Sequence, residues 1–478
     1  MTGTEQGSAQ DAVDAEARTA EPAGAPTPTA PMSVAGPTPS QQPTAPLAER
    51  TLDLCVGGTR PDDVGLLTSA LTSVLASRGL LEALGPEQVA AVPAGPRPLL
   101  VPVGPAEDPG EVEADLRARV DAVPEAADLV LRTSGSTTGT GSLVAMSAAA
   151  LAASARATHA RLGGTGTWVL ALPAHHVAGL QVLVRSVLAG TRPVVVDTSD
   201  GFRTAALVGG LRAAREQAGS APDGRVYASL VPTQLLRVLD DADAAEALAD
   251  ADGVLLGGAA ADPGLLARAR AAGVRFLTTY GMSETGGGCV YDGLPLDGVG
   301  VSIEEPDGEG VGRVVLAGPV LAEGYLAGGG ATTFRETVPA PGTGTGHRRE
   351  VLTADRGRLL TGDDGVTRLE VLGRLDDVIV TGGIKVEPRA VEEALTRFDG
   401  VGEACVVGLP DARWGRRVVA AVVPETGRAL DAEAVREAVR DVLDGAHAPK
   451  EVLVLNALPT RGPGKVDRRA VAALLAGD

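Results

Sequence analysis

Short apolar segments alternate with longer amphipathic segments along most of the chain. Three short runs of large apolar residues predict strands that are buried on both faces: residues 168–172, 193–196 and 253–256. Four longer segments with apolar residues at helical spacing predict helices: residues 145–162, 180–189, 204–218 and 232–239. This alternation predicts a layered α/β architecture around a parallel or mixed sheet, with ligands at the strand ends.

The N-terminal segment has a different composition. Residues 1–49 are rich in Ala, Pro, Thr, Gln and Glu and contain almost no large apolar side chains. Such a segment cannot bury enough surface to offset its conformational entropy, which predicts a disordered tail. Folded sequence is predicted to start near Leu52, with a helix over 62–84, a strand over 98–103 and an acidic helix over 111–120.

Composition narrows the classes of partner. Hydrophobic residues make up 44% of the chain and aromatic residues 2%, so Ala, Val and Leu must fill the core. The net charge of −19 argues against nucleic acid or an anionic membrane as a partner. The sequence has no secretory signal pattern and no run of ~18 apolar residues, which predicts a protein that is neither secreted nor membrane-spanning. Three well-separated cysteines favour a reducing cytoplasm over a disulfide framework or a zinc site.

Residues 131–144, LRTSGSTTGTGSLV, are the most distinctive stretch. A predicted strand ends at its start, and the predicted Ala-rich helix follows it. The small residues between them let backbone N–H groups approach an anion, and the hydroxyl groups add donors. Such a loop can hold a phosphate, but a Gly/Ser/Thr turn of this composition is more often an ordinary surface loop. The residues of this glycine-rich loop are Thr133, Ser134, Gly135, Ser136, Thr137, Thr138 and Gly139.

Further motifs follow this loop in a defined order. LPAHHVAGL at 172–180 places two histidines between a strand and a helix, and LLGGAA at 255–260 exposes main chain after a strand. The remaining motifs are TTYGMSETGGG at 278–288, LTADRG at 352–357, GRLDDVIVTGGIKVEP at 373–388 and PTRGPGKVDRR at 459–469.

With these motifs in this order, the sequence resembles the adenylate-forming superfamily of acyl- and aryl-CoA ligases, peptide-synthetase adenylation domains and luciferases. Within it, LRTSGSTTGTG, LPAHHVAGLQVL and SLVPTQLLRVL are most similar to the o-succinylbenzoate–CoA ligases of menaquinone biosynthesis. The resemblance implies a large AMP-binding domain of layered sheets and helices over 50–372 and a small, mobile α+β domain over 373–478. It also implies ATP and Mg²⁺ as cofactors and CoA as a co-substrate.

The resemblance assigns the nucleotide to the large domain. The glycine-rich loop would hold the β- and γ-phosphates, and Glu284 would contact Mg²⁺, which prefers carboxylate and water oxygens. Tyr280 would cover the adenine, and Ser283 would reach the α-phosphate. Asp355 would accept hydrogen bonds from the ribose hydroxyls, and Arg374 is a second candidate for ribose or phosphate. Main chain of the implied nucleotide site comes from Gly258, Ala259 and Gly281.

Two positions depart from the commonest family pattern. Thr140 and Gly141 lie where the family loop usually has a Pro-Lys pair, so one phosphate-neutralising cation is missing. Asp363 competes with Asp355 as the ribose-binding acid, because Thr-Gly-Asp is the commoner family motif. The distance to the following Gly-Arg motif favours Asp355, and residues 363–365 predict a hairpin turn instead.

The resemblance also implies a hinge and a second active arrangement. Lys465, in a flexible loop, would stabilise the pentavalent α-phosphate, and Asp376 would be the hinge. Rotation of the small domain would then bring Gly382 and Gly383 to the site as a narrow passage for pantetheine. Trp414 would pack against CoA, although a half-buried surface tryptophan has the same local sequence.

The histidine motif predicts the acyl pocket. By resemblance, His176 would line this pocket, whereas His175 is interpreted as satisfied by backbone at a strand end. The non-reacting carboxylate of a dicarboxylic acid would bind His176, Arg185 or Arg237. Two residues of a neighbouring turn would line the pocket or cap the next helix: Thr233 and Gln234.

Three functions are compatible with these features. The first is an ATP-dependent ligase that forms 2-succinylbenzoyl-CoA, AMP and pyrophosphate. Such an enzyme would bind neither nucleic acid nor a membrane, and a homodimer is compatible with it. The second is another acid–CoA ligase or an enzyme that loads a carrier protein. The third is a catalytically weak nucleotide-binding protein, suggested by the altered loop.

Overall fold

In the computed structural model, the described residues are 42–81, 97–133, 141–219, 224–328, 332–337, 348–425, 427–443, 445–461 and 465–476. The α-helices of these ranges are α1 (Pro61–Ser77), α2 (Pro109–Arg119), α3 (Ala148–Arg161), α4 (Val177–Leu188), α5 (Thr204–Ala218), α6 (Pro232–Leu239), α7 (Ala242–Ala249), α8 (Pro263–Ala271), α9 (Pro388–Thr396), α10 (Ala432–Val442) and α11 (Arg468–Ala476). Two short 3₁₀ turns accompany them, Leu47–Glu49 and Ser283–Thr285.

The strands are numbered in chain order. Those before residue 375 are β1 (Thr44–Pro46), β2 (Leu52–Val56), β3 (Leu99–Val103), β4 (Ala122–Pro124), β5 (Leu129–Arg132), β6 (Leu143–Met146), β7 (Thr167–Leu170), β8 (Val194–Val195), β9 (Val226–Leu230), β10 (Gly253–Leu256), β11 (Phe276–Met282), β12 (Gly287–Tyr291), β13 (Leu294–Pro295), β14 (Gly300–Glu304), β15 (Gly312–Ala317), β16 (Gly324–Ala327), β17 (Thr333–Thr337), β18 (Arg348–Thr361) and β19 (Thr367–Arg374). The later strands are β20 (Ile379–Thr381), β21 (Ile384–Val386), β22 (Val401–Asp411), β23 (Gly415–Pro424), β24 (Glu451–Val454), β25 (Thr460–Arg461) and β26 (Lys465–Val466).

Two mixed sheets form the framework of the large N-terminal part. The first has the order β13-β12-β11-β10-β9-β7-β8. In this sheet β7 to β11 are parallel to one another, whereas β12 and β13 pair antiparallel. The second has the order β16-β6-β5-β3-β2. A third sheet, built from β14, β15, β18, β17 and β19, is antiparallel. This arrangement confirms the predicted α/β class.

Alternating side chains along the strands connect the layers. In β5, Leu129 and Leu131 belong to the core shared with α1, α3, α4 and the seven-stranded sheet, whereas Val130 faces the core against α2. In β7, Trp168 faces that shared core and Val169 faces the core against α5 to α8. Helices therefore cover both sheets on both faces, which explains why central strands such as β3, β6 and β10 are buried along their whole length.

Several predicted boundaries need correction. The helix predicted from residue 145 starts at Ala148, because Leu143–Met146 forms β6 and Ser147 caps the helix through the N–H of Ala150. The helix predicted to reach residue 84 ends at Ser77. The predicted bounds of Thr204–Ala218, Pro232–Leu239 and Gly253–Leu256 are confirmed.

The predicted disordered tail also ends too late. Residues 1–41 lie outside the described ranges, but Thr44–Pro46 pairs with β4, and Leu47 is buried. Leu47 is one of the few large apolar residues of this stretch, and it packs into the core formed with α2. The folded region therefore begins before the boundary that composition predicts, held by this strand pairing and by the buried Leu47.

The C-terminal part is a smaller α+β unit. Its central sheet, β22-β23-β24, buries one face against α9 and α10 and the other against α11. Glu387 and Arg389, at the start of α9, connect this unit to the large part through Arg356 of β18 and the carbonyl of Val371 in β19. The predicted boundary at residue 373 remains a prediction.

Candidate active site

The glycine-rich loop connects two strands. Ser134, Gly135, Ser136, Thr137, Thr138 and Gly139 lie outside the described residues. The flanks are described: the N–H of Thr133 donates to Ser142 O at 3.0 Å, and the N–H of Ser142 donates to Thr133 Oγ1 at 2.9 Å. Since β5 and β6 are antiparallel, the loop spans a hairpin, which corrects the predicted strand–loop–helix arrangement.

Tyr280 and Asp355 meet at the end of β11. The Tyr280 hydroxyl donates to Asp355 Oδ2 at 2.7 Å, and the N–H of Asp355 donates to Thr353 Oγ1 at 3.1 Å. Arg374 is the register partner of Asp355 in β19, with Nη1 4.0 Å from Asp355 Oδ1. Burial raises the pKa of Asp355, although Tyr280, Arg374 and Lys465 act in the opposite direction.

Asp363 lies away from this cluster. Residues 362–366 form the exposed turn between β18 and β19, closed by the N–H of Gly362 donating to Val366 O at 3.0 Å. The hairpin predicted for this segment is therefore confirmed. Asp355 instead lies well inside β18, where its carboxylate is largely shielded from solvent.

Glu284 is a buried carboxylate on the 3₁₀ turn after β11. The hydroxyl of Tyr325, in β16, donates a hydrogen bond to Glu284 Oε1. The N–H of Ala322 donates to the main-chain oxygen of Glu284 at 2.8 Å. Sequence reasoning missed Tyr325. The scarcity of tyrosine could have drawn attention to it. Of the four tyrosines in the chain, Tyr280 donates to Asp355 and Tyr325 donates to Glu284.

This single carboxylate fits a magnesium ion that also binds substrate phosphates. Mg²⁺ retains several waters and is usually held by one or two carboxylates together with phosphate oxygens. Within the described ranges, no cluster of three or more His, Cys, Asp or Glu side chains could hold a metal without such a substrate.

Glycines allow close backbone approach beside Glu284. A Cβ atom at Gly281 would clash with the carbonyl oxygen of Gly287 across the β11–β12 pair, so this position requires glycine. Gly258 and Ala259 follow β10 and are exposed, and Ser283 is half-buried next to Glu284. The predicted main-chain elements thus lie at the carboxyl ends of β10 and β11.

The adjacent histidines precede α4. Their ring centroids are 4.1 Å apart, and His176 is the N-cap residue of that helix. Burial lowers the pKa of His176 to about 4, and the neighbouring His175 and Lys465 add to this effect. His176 is therefore neutral near pH 7. His175 packs closely on Gly57, and its Nδ1 is buried without a hydrogen-bond partner, so the predicted backbone satisfaction is wrong for that nitrogen.

Lys465 approaches from the C-terminal part the space between Asp355 and His176, which is called the cleft below. Its ammonium group acts electrostatically on both Asp355 and His176, lowering the pKa of each. Lys465 is exposed at the start of β26, and residues 462–464 before it lie outside the described ranges. The two parts of the chain are therefore arranged with this cation facing the cleft.

The other predicted elements of the C-terminal part lie close to one another. Asp376 forms a bidentate ion pair with Arg374, at 2.8 and 3.1 Å, in the turn that follows β19. Gly382 and Gly383 form the turn between β20 and β21, and the exposed Trp414 packs on Gly382. Trp414 is also covered by the guanidinium of Arg413, 4.7 Å from the ring centroid.

The structure changes which arginine is a candidate to bind the non-reacting carboxylate. Arg185 is fully buried over Trp168, at 4.9 Å from its ring centroid. Because Trp168 lies near the start of β7 and His176 follows its end, Arg185 lies toward the opposite end of β7 from His176. Arg237 is exposed on α6 and acts electrostatically on Glu403 of β22. Gln234 caps its helix through the N–H of Val231 and also donates to Ala171 O at 3.0 Å.

Family relationships agree with this geometry. Residues 72–326 match the AMP-binding enzymes, and residues 390–465 match the AMP-binding enzyme C-terminal domain. The chain belongs to the AMP-binding enzyme family. None of the described helices of this AMP-binding enzyme is long and apolar enough to cross a membrane.

Several relatives of this AMP-binding enzyme carry a named activity. The probable 2-succinylbenzoate–CoA ligase of Mycobacterium tuberculosis is 46% identical over 351 residues, which cover 73% of this chain and 85% of that protein. The 2-succinylbenzoate–CoA ligase of Enterococcus faecalis is 28% identical over 66% of this chain and 63% of that protein. The o-succinylbenzoate-CoA synthetase of Bacillus subtilis, solved with its acyl-adenylate, has a TM-score of 0.61 at 20% identity and covers 90% of this chain and 98% of its own. That likeness confirms the fold.

Buried histidines predict that acid destabilises this fold. The pKa values of His159 and His176 are both about 4, because burial disfavours the charged imidazolium. Between about pH 6.5 and pH 4, the unfolded chain binds protons that the native protein does not, so the free energy of unfolding should fall as pH falls. The expected loss is about 2–3 kcal/mol per histidine. Urea denaturation at several pH values should show a weaker dependence for His159→Gln; an unchanged slope would contradict the assignment.

Proposed function

We propose that this enzyme adenylates 2-succinylbenzoate with ATP and transfers the acyl group to CoA, which gives 2-succinylbenzoyl-CoA, AMP and pyrophosphate. The observation that carries the proposal is the 46% identity to a probable 2-succinylbenzoate–CoA ligase over 85% of that protein's length. The geometry supports it, because Lys465 of the C-terminal part lowers the pKa of both Asp355 and His176, and the buried Glu284 directly follows β11, the strand that carries Tyr280.

In the first half-reaction, a carboxylate oxygen of the acid bonds to the α-phosphorus while the bond to the pyrophosphate oxygen breaks. Lys465 stabilises the charge on the pentavalent phosphorus, and Asp355 accepts hydrogen bonds from the ribose. Glu284 would hold Mg²⁺, which neutralises phosphate charge when it is bound. Support for ATP and Mg²⁺ comes from a Bacillus subtilis synthetase solved with both, which shares this fold with a TM-score of 0.59.

In the second half-reaction, the CoA sulfur attacks the acyl carbonyl carbon, the thiol proton passes to solvent, and AMP leaves. We assign Asp376 as the hinge, because it lies in the turn between the two parts and its carboxylate is held only by Arg374 two residues earlier among the contacts described. Rotation there would withdraw Lys465 and present the Gly382–Gly383 turn to the cleft.

The acyl pocket is proposed to lie beside His176. A neutral imidazole can donate one hydrogen bond and accept another without adding charge. Arg237 remains a proposed partner for the second carboxylate, whereas Arg185 does not. We also propose a cytoplasmic enzyme, because Cys55, Cys289 and Cys405 are all free thiols, and a homodimer remains a prediction.

The decisive experiment is an acid-dependent pyrophosphate-release assay with 2-succinylbenzoate, benzoate, ferulate, a medium-chain fatty acid and amino acids. We expect 2-succinylbenzoate to give the highest kcat/KM and to form a thioester with CoA. Faster turnover of another acid would establish a different acid–CoA ligase or adenylation enzyme. ATP binding by calorimetry without pyrophosphate release for any acid would instead indicate a weak nucleotide-binding protein.

Gly382 offers a selective test of the second half-reaction. Its φ is +57°, and an added Cβ would lie 2.7 Å from Cε3 of Trp414. Gly382→Ala should therefore slow thioester formation by about 10-fold or more while acid-dependent pyrophosphate exchange continues. Gly427→Ala is the control, since φ there is +78° and no heavy atom lies within 4 Å of the added Cβ. Equal slowing of both half-reactions in Gly382→Ala would argue against a separate CoA passage.

A further inference from the structure

Glu284 receives a hydrogen bond from a residue that the proposed mechanism does not yet use. The Tyr325 hydroxyl donates to Glu284 Oε1, and Glu284 is 8% exposed. A phenol beside a carboxylate acts as the donor, so this contact is a charge-assisted hydrogen bond. Such a bond both stabilises the anion and restricts the rotation of its side chain.

The main chain that carries Glu284 is held independently of Tyr325. The N–H of Ala322 donates to Glu284 O at 2.8 Å, and the Thr285 hydroxyl donates to Gly287 O at 2.7 Å. The buried Gln181 of α4 donates to Gly286 O at 2.6 Å. These contacts fix the backbone of the turn. The hydrogen bond from Tyr325 therefore acts on the orientation of the Glu284 carboxylate and not on the backbone.

Tyr325 is in turn fixed to the exit of the glycine-rich loop. Its strand, β16, pairs with β6 so that Tyr325 lies opposite Val144 and Gly324 lies opposite Ala145. The ring packs edge-on against Phe334, with centroids 5.5 Å apart and an interplanar angle of 67°. Strand β6 begins at Leu143, directly after the loop, so one aromatic ring connects the loop's exit strand with the buried carboxylate.

We propose that Tyr325 is a positioning residue, whose hydroxyl aims the Glu284 carboxylate at the metal and phosphate groups of the bound nucleotide. The inference rests on the proposed use of ATP, but not on which acid is adenylated. With one carboxylate oxygen held by Tyr325, the other is oriented to accept a ligand. A similar arrangement occurs beside it, where Tyr280 donates to Asp355.

The test is Tyr325→Phe, which removes the hydroxyl and keeps the ring against Phe334. We expect Mg²⁺-dependent ATP binding, measured by calorimetry without any acid, to weaken by about 10-fold, since a hydrogen bond to a charged group is lost. Binding of AMP without metal should change less than about twofold. In steady state, the Mg²⁺ concentration for half-maximal pyrophosphate release should rise by a similar factor.

The matched control is Tyr291→Phe. Tyr291 is a buried tyrosine whose hydroxyl is 2.9 Å from Thr158 Oγ1, away from Glu284. Tyr291→Phe should lower the free energy of unfolding as Tyr325→Phe does, but it should not change the Mg²⁺ dependence of ATP binding. If both variants keep wild-type Mg²⁺ dependence, or if AMP and ATP binding weaken equally in Tyr325→Phe, the positioning role is wrong.

A double-mutant comparison keeps the test valid if Tyr325→Phe loses stability. Glu284→Gln retains an acceptor for the tyrosine but removes the charge that attracts the metal. In the Glu284→Gln background, Tyr325→Phe should add little further loss of Mg²⁺-dependent ATP binding, because the hydroxyl acts through the carboxylate. Full additivity of the two losses would overturn the proposal. A failed acid panel would leave these binding results unaffected, so the two hypotheses are tested separately.

Discussion

Replacing Lys465 with alanine is expected to slow adenylate formation by about 10²-fold or more while thioester formation from supplied acyl-adenylate continues. The ammonium group acts on both Asp355 and His176, so it faces the cleft where the α-phosphate would lie. Losing a cation that balances transition-state charge costs several kcal/mol of barrier height, which sets this magnitude. Acid-dependent pyrophosphate exchange measures the first step, and CoA consumption with purified adenylate measures the second.

The chain contains few lysines, so a control substitution of another lysine is easy to choose. Lysine occurs only at positions 385, 450 and 465. Lys450 is exposed, and its Nζ donates to Gly445 O at 2.6 Å, so Lys450→Ala should leave both half-reactions unchanged. Equal loss of both half-reactions in Lys465→Ala would contradict a role confined to adenylation, and a full-rate Lys465→Ala enzyme would refute the assignment altogether.

Replacing Asp355 with alanine should raise the KM for ATP by about 10²-fold. The Asp355 carboxylate is largely shielded from solvent and can accept hydrogen bonds from both ribose hydroxyls, each of which contributes about 1.5–3 kcal/mol when the acceptor is charged. Calorimetric titration with AMP would measure the same loss without catalysis. Tyr280→Phe separates the two members of the pair, because it removes the donor to Asp355 and leaves the carboxylate in place.

Asp363→Ala is the matched control for this prediction. Asp363 lies in the exposed hairpin turn between β18 and β19, so its replacement should not change nucleotide binding. If Asp363→Ala weakened AMP binding and Asp355→Ala did not, the choice made from motif spacing would be wrong. Thermal unfolding of both variants would verify that the folded protein is being compared.

Local sequence patterns predicted most helices and strands but missed some elements. The bounds of α5, α6 and β10 followed from apolar periodicity within about 4–15 residues. β6 was missed because its four residues merge with the Ala-rich start of α3, and a strand this short carries little periodicity of its own. Composition placed the end of the predicted N-terminal tail at residue 49, although Leu47 is buried, because an average over a segment does not identify a single residue that packs into the core.

The sequence by itself determined the order of the motifs and the α/β class, and the resemblance of those motifs to the adenylate-forming superfamily marked Glu284, Asp355 and Lys465 as candidates for nucleotide chemistry. These properties depend on residue type and spacing within short segments. The tertiary structure decided which side chains meet: Tyr280 bonds Asp355 across 75 residues, and Tyr325 bonds Glu284 across 41. It also placed Arg185 against the ring of Trp168, away from His176. Such contacts depend on how strands and helices pack in three dimensions, and no local pattern encodes the partner of a side chain.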